Sequence, residues 1–215
     1  MYNESMKHIK YILLLIVAVS LYGAAWGRGR MADERKVVVQ ASGVHAVVSA
    51  WERYGDEWTE AFRTEDGWVG RNGVTNQKKE GDGKTPVGVY EMRRAFGIAP
   101  KPQTAFPYAQ IVQGDEWVDD AFSPFYNQFV SASAPVERTW NSSENLNGYP
   151  VEYHYALVIE YNTDPIVPGA GSGIFFHCSA NKPTSGCVSV PEDFMAQLLA
   201  FLQPGDKIVI ESAEK

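Results

Sequence analysis

The chain has 215 residues, with 19 Lys and Arg against 26 Asp and Glu and a formal net charge of −7, which excludes a strongly basic nucleic-acid binder. Hydrophobic residues make up 45% and charged residues 21%, ordinary globular proportions that exclude disorder as the main state. Two cysteines exclude a disulfide-rich miniprotein, and the many aromatics, glycines and prolines favour strands and turns over a helical bundle.

Lys7 and Lys10 precede an apolar run over residues 11–21, and Gly23, Ala24 and Ala25 follow. A basic start, an apolar centre and small residues make residues 1–25 a secretory signal peptide. The run is short for a spanning helix, which needs about 20 apolar residues; an uncleaved anchor is the alternative reading. This segment carries the only membrane association expected. It places the working portion outside the cytoplasmic membrane, in the periplasm or cell wall, where disulfides are permitted. Residues 26–35 read as a polar, disordered lead-in, and residues 36–215 as one folded domain.

Short strand-like runs follow at 37–39, 44–51, 58–63, 68–70, 87–92, 153–161, 174–177 and 207–211, bounded by Gly, Pro, Asn or Asp. One helix is expected late in the chain. Pro191 suits its first position, Glu192 and Asp193 suit its positive end, and Phe194, Leu198, Phe201 and Leu202 recur at helical spacing before Pro204-Gly205 stops it. Residues 100–150 are aromatic with few strand signals, and a loop of that length is usually functional, such as a lid or substrate wall. Trp117, Tyr126 and Trp140 are its candidate groove aromatics; Asp119, Asp120 and Glu144 read as solvated loop charges. The expected fold is mainly β, a sandwich-like pair of sheets with one C-terminal helix before the last strand.

Residues 174–190 hold both cysteines and one of the four histidines. A nucleophilic Cys needs a thiolate, and a nearby imidazole provides it by taking the proton. Gly186 before Cys187 permits a sharp turn and close backbone approach. The amides around Cys187 are then placed to meet a developing oxyanion. Strand alternation sends neighbours to opposite faces, so if His177 faces Cys187, Cys178 faces away; a Cys178–Cys187 disulfide, the competing reading, needs converging Cβ vectors and would silence the thiol. A zinc site from His154, His177, Cys178 and Cys187 lacks the usual paired spacing. Gly83-Lys84-Thr85 imitates the end of a phosphate loop, but Lys78 stands where its first Gly belongs and Pro86 and a strand follow, so the segment reads as a tight turn. No His follows Cys187, which contradicts a papain-like order. His45 reads as structural.

This segment resembles the catalytic signature of the L,D-transpeptidase family: a His ending a strand, a loop, then Ser/Thr-x-Gly-Cys. His177 matches the first part and Thr184-Ser185-Gly186-Cys187 the second. Residues 71–74 and 80–90 resemble the family's upstream turn and strand, and residues 155–162 its central strand. Two departures stand out. Ser189 occupies a position where many members carry Arg or Asn, and the loop from His177 to Cys187 is short, as in a subgroup ending Pro-Thr-x-Gly-Cys.

The resemblance implies an L,D-transpeptidase-like β-sandwich and an exported cysteine enzyme acting on peptidoglycan stem peptides. Cys187 is the implied nucleophile, forming a thioester, His177 the base, and the amides at Gly186 and Cys187 the oxyanion donors. A backbone carbonyl near Ser179 would orient the imidazole. Thr184, Ser185, Tyr155 and His154 are the expected substrate contacts. An amine acceptor gives transpeptidation and water gives L,D-carboxypeptidase activity. No metal or other cofactor is implied, and no nucleic acid. A non-catalytic wall-binding module with bridged cysteines is the reading from another class.

Overall fold

The computed structural model describes residues 32–213. The predicted signal peptide and most of the lead-in lie outside these residues. The N-terminal half supplies β1 (Glu34–Ser42), β2 (His45–Tyr54), β3 (Glu57–Trp68), β4 (Val74–Thr75), β5 (Thr85–Pro86) and β6 (Gly88–Gly97). Then come β7 (Tyr108–Gln110), β8 (Glu116–Val118), β9 (Phe129–Val130), β10 (Ser143–Asn145), β11 (Ala156–Ile159), β12 (Phe175–Cys178) and β13 (Val188–Val190). Helix α1 (Glu192–Phe201) precedes the last strand, β14 (Lys207–Ser212). The fold is mainly β with one helix before the last strand, as the sequence predicts.

The strands form one large sheet in the order β11-β12-β13-β3-β2-β1-β14-β6-β7, and β6 also pairs with β11. That extra pairing folds the sheet over on itself. The expected sandwich layers are therefore two walls of one closed sheet. A second sheet, β10-β8-β9, and the pair β4-β5 are built beside it.

Alternation along the strands sorts the side chains into two cores. Val37, Val39 and Ala41 of β1, Ala46 and Val48 of β2, and Ile208 and Ile210 of β14 join the main core, with Leu157 and Ile159 of β11, Phe176 and Cys178 of β12, and Val188 and Val190 of β13. The opposite faces of the last three strands carry Ala156, Val158, Phe175 and Cys187, which pack with Phe96, Trp117, Leu146 and Tyr153 in a second core. Every residue of β11, β12 and β13 is buried. This explains why β11 and the start of β12 read as apolar runs: both faces are covered. Helix α1 lays Phe194, Met195, Leu198 and Leu199 into the main core. Pro191 serves as its N-cap rather than its first helical residue.

Several strands differ from expectation: the 58–63 and 68–70 runs merge into β3, β6 extends to Gly97, and β13 has no counterpart among the expected runs. β1 starts at Glu34, inside the predicted lead-in, because Glu34 and Arg35 pair across to Arg53 and Glu52, opposite charges on facing strands. The 153–161 run is strand only over Ala156–Ile159, with residues 151–153 in a turn. Residues 100–150 hold four short strands and a 3-10 turn instead of a structureless wall.

Phe176 is fully buried in the main core. Phe176→Ala should lower unfolding free energy by about 3–5 kcal/mol, read as a shifted urea midpoint with an unchanged slope.

Candidate active site

β12 and β13 run parallel, with Phe176 opposite Val188 and His177 opposite Ser189. Cys187 immediately precedes β13, so its side chain shares a face with that of Ser189. The face that carries His177 on β12 carries Cys187 and Ser189 on its neighbour, and all three line a cavity of about 470 Å³. The two cysteines are free and lie in different cores, as the alternation argument requires.

The Cys187 backbone is clamped. Its carbonyl accepts hydrogen bonds from Thr184 Oγ1 at 2.7 Å and Thr85 Oγ1 at 3.1 Å. Thr85, fully buried, also accepts from the Gly70 amide at 2.9 Å. Thr184 Oγ1 accepts from the Gly186 amide at 3.1 Å. Gly186 has φ +151°, and a Cβ there would meet the Lys84 carbonyl at 3.1 Å, so glycine is required. The Gly81-Asp82-Gly83 turn that delivers Thr85 is tied by Asp82, which accepts from Lys78 Nζ and the Lys79 and Lys84 amides.

The thiol points into the second core. Cys187 Sγ accepts from the Phe175 amide and donates to the Gly173 carbonyl, each at 3.3 Å. Burial, then the nearby Glu144 carboxylate, pushes it up to about 12. His177 Nδ1 lies 2.7 Å from the Cys178 carbonyl. A carbonyl only accepts, so Nδ1 carries the proton and Nε2 presents the lone pair. Burial lowers the imidazole to about 4, so it is neutral at pH 7. The resting pair is thus an uncharged thiol and an uncharged imidazole.

Tyr153 sets its ring edge-on to His177 at 5.5 Å and donates from its hydroxyl to Glu144 Oε1 at 2.7 Å. Burial raises the Glu144 carboxyl to about 6. Asn127 accepts from Trp117 Nε1 and the Gly173 amide, each at 2.9 Å, which fixes the β8–β10 wall to the segment that holds the thiol. Ser189 Oγ is buried without a hydrogen-bond partner.

Residues 51–210 match the YkuD family, the L,D-transpeptidase catalytic domain. The chain belongs to this family. No curated protein matches it. Among solved structures it is similar to the helical cell shape determining protein Pgp2 from Campylobacter jejuni, at 18% identity and TM-score 0.47, covering 86% of this chain and 50% of that one. Bd1075 from Bdellovibrio bacteriovorus is similar at 15% identity and TM-score 0.46, covering 84% and 48% respectively. L,D-transpeptidase 1 from Mycobacterium tuberculosis is similar at 14% identity and TM-score 0.36, covering 82% and 61%. The chain thus spans about half the length of the first two.

The structure brings Cys187, His177, Gly186, Thr184 and Ser185 to the cavity. It does not bring His154 or Tyr155. His154 Nε2 lies 3.5 Å from Glu192, and Tyr155 packs on the main core. The strand begins only at Ala156, after a turn over residues 151–153, and the tyrosines lining the cavity are Tyr149 and Tyr153. Gly186 also differs from expectation, since its amide is engaged by Thr184. The carbonyl that holds the imidazole belongs to Cys178, next to the expected Ser179. Of the three wall aromatics, Trp117 lines the cavity, while Tyr126 and Trp140 pack elsewhere. Glu144 faces the thiol instead of open solvent, and Asp120 is a buried turn anchor accepting from the Phe122 and Asn141 amides. Sequence offered no signal for Thr85 or Glu144 beyond their polarity.

Two measurements check this geometry. Thr85→Val leaves the Gly70 amide without its acceptor and removes one clamp on Cys187; it should cost about 1–3 kcal/mol of stability, measured by thermal melting. With Cys178→Ala to remove the second thiol, iodoacetamide labelling of the free protein should be slow at pH 7 and keep rising with pH beyond 9, toward the Cys187 value near 12. A labelling plateau near neutrality would contradict the buried, uncharged thiol.

Proposed function

We propose that this chain is an exported cysteine acyltransferase that acts on peptidoglycan stem peptides through a thioester on Cys187, with L,D-transpeptidation as its main reaction. The observation that carries this reading is that the thiol of Cys187 and the neutral imidazole of His177 lie on one face of the β12–β13 pair and line the same cavity. Family membership supplies the substrate class.

In this reading the stem carbonyl between an L- and a D-centre settles over Sγ. His177 Nε2 takes the thiol proton as sulfur attacks, and returns it to the leaving amine. The low imidazole value near 4 keeps the lone pair free at neutral pH and makes the imidazolium a ready acid. The thiol value near 12 means that proton transfer is unfavourable until a substrate displaces the Gly173 carbonyl from the S–H. The Cys187 amide meets the oxyanion, since the Gly186 amide is already engaged. An amine then resolves the thioester to a new peptide bond, and water resolves it to a free acid.

Intact-protein mass spectrometry with a tetrapeptide stem fragment tests this directly. The wild-type protein should gain an acyl adduct that maps to Cys187, and Cys187→Ala should gain none while keeping its circular dichroism spectrum. His177→Ala should slow adduct formation by ~10²–10⁴-fold. An adduct that survives in Cys187→Ala would sink the assignment.

A further inference from the structure

Four carboxylates line the cavity, Glu80, Asp119, Glu144 and Glu152, and the steps above use none of them; of these, Glu144 is the one that acts on the Cys187 thiol. Glu144 sits on β10 with Oε1 held by the Tyr153 hydroxyl at 2.7 Å. Its other oxygen lies against Gly173: a Cβ built there would meet Glu144 Oε2 at 3.7 Å. Gly173 supplies the carbonyl that accepts the Cys187 S–H at 3.3 Å. The carboxylate therefore stands beside the nucleophile.

Its placement opposes that nucleophile in the empty site. After burial, Glu144 is the largest influence holding the thiol protonated. The opposition reverses when a cation enters, because an ammonium between Glu144 and sulfur cancels the negative charge. The cations of the cavity do not already fill this role. Lys78 pairs with Asp82 and Lys182 with Glu152, while Arg71 Nη1 donates to Ser185 Oγ at 3.0 Å. Glu144 is held by a neutral phenol. Ser189 Oγ adds a second polar group to the cavity lining, buried and without a hydrogen-bond partner.

We infer that Glu144, oriented by Tyr153, binds the primary ammonium group of the acceptor and takes its proton, so that the free amine attacks the thioester. The inference rests on the acyl-enzyme reading above. One proton passes from nitrogen to Glu144 Oε2. The nitrogen lone pair forms the C–N bond, and the C–S bond breaks with its electron pair leaving on Cys187 Sγ. A second nitrogen proton passes to His177 Nε2 and then to sulfur, restoring the thiol; Glu144 releases its proton to solvent as product leaves. Leaving and arriving amines occupy the same place, so the site also receives the amine expelled during acylation. Burial brings the Glu144 carboxyl to about 6, which suits a group that is charged at pH 7 and still able to accept a proton.

The test compares capture of the acyl-enzyme by two nucleophiles: D-methionine, which carries an ammonium, and hydroxylamine, which is uncharged near neutral pH. Tetrapeptide stem is the donor, and acid, D-methionine and hydroxamate products are quantified. In Glu144→Gln the acceptor KM for D-methionine should rise by on the order of tenfold to a hundredfold, the acid product should increase, and hydroxylamine capture should persist. Glu144→Asp should recover part of the loss, and Tyr153→Phe, which keeps the carboxylate but frees it, should give a smaller rise. Unchanged partition between the two nucleophiles in Glu144→Gln, with Tyr153→Phe also unchanged, overturns the inference and leaves the acyl-enzyme intact. Equal loss of both captures overturns it too, because it signals a general structural role. No wild-type adduct at all overturns the parent reading, and this one with it.

Discussion

Two threonine hydroxyls converging on the carbonyl of Cys187 set the position from which the rest of the site is measured. Thr184 comes from the loop that returns the chain to β13, and Thr85 from the β4–β5 pair about a hundred residues earlier. Each such bond contributes modestly, about 0.5–1.5 kcal/mol net, but losing one leaves buried groups unpaired, which costs more. Because the carbonyl is fixed, the direction of the Cys187 side chain is fixed with it. The parallel register of β12 and β13 then dictates that sulfur lies against the Phe175 amide and diagonal to His177. The geometry of this site is backbone geometry, and the main core on the opposite face of the same strands holds it rigid.

Burial does the electrostatic work. It raises the thiol and lowers the imidazole, so the two neutral groups avoid the cost of placing an ion pair in the second core. A preformed thiolate–imidazolium pair would need compensating charge, and the nearest carboxylate works against the thiolate. Lys78 pulls the other way, but it is spent largely on Asp82 at 2.6 Å. On the proposed acyl-enzyme reading, ionisation is left to the moment when substrate enters; the neutral thiol also resists oxidation, since the thiolate is the reactive form.

Much of this was legible in the sequence, for identifiable reasons. Strands buried on both faces read as apolar runs, so β11 and β12 stood out, and the helix announced itself through Phe194 and Leu198. Two-residue alternation separated Cys178 from Cys187 before any coordinates. The start of the 153–161 run misleads: it reads as strand from Tyr153, but residues 151–153 form a turn, and Tyr153 rather than Tyr155 lines the cavity. The short strands between residues 100 and 150 were invisible because single side chains hold them. Asp115 accepts from the Val112 and Ala132 amides, and Asp120 from those of Phe122 and Asn141. An Asp at a turn looks the same in sequence whether it faces solvent or anchors a wall. Glu144 was unreadable for that reason: its neighbours in space are Tyr153 and Gly173, neither of them near enough in sequence to form a motif.

The wall and the Cys187 thiol are mechanically one unit. Asn127, with φ +56°, is buried and ties three segments together with its side chain. Its Nδ2 donates to the Tyr161 and Asn162 carbonyls at the exit of β11, and its Oδ1 accepts from Trp117 and from Gly173. Gly173 in turn accepts the thiol proton. A ligand that shifts Trp117 must therefore act on the residue that keeps the thiol neutral. That coupling gives a reason for a long, polar-anchored wall beyond the Trp117 and Leu146 side chains it lends to the second core. The wall shapes the cavity and, through one asparagine and one glycine, links the filling of the cavity to the release of the thiol from its resting hydrogen bond.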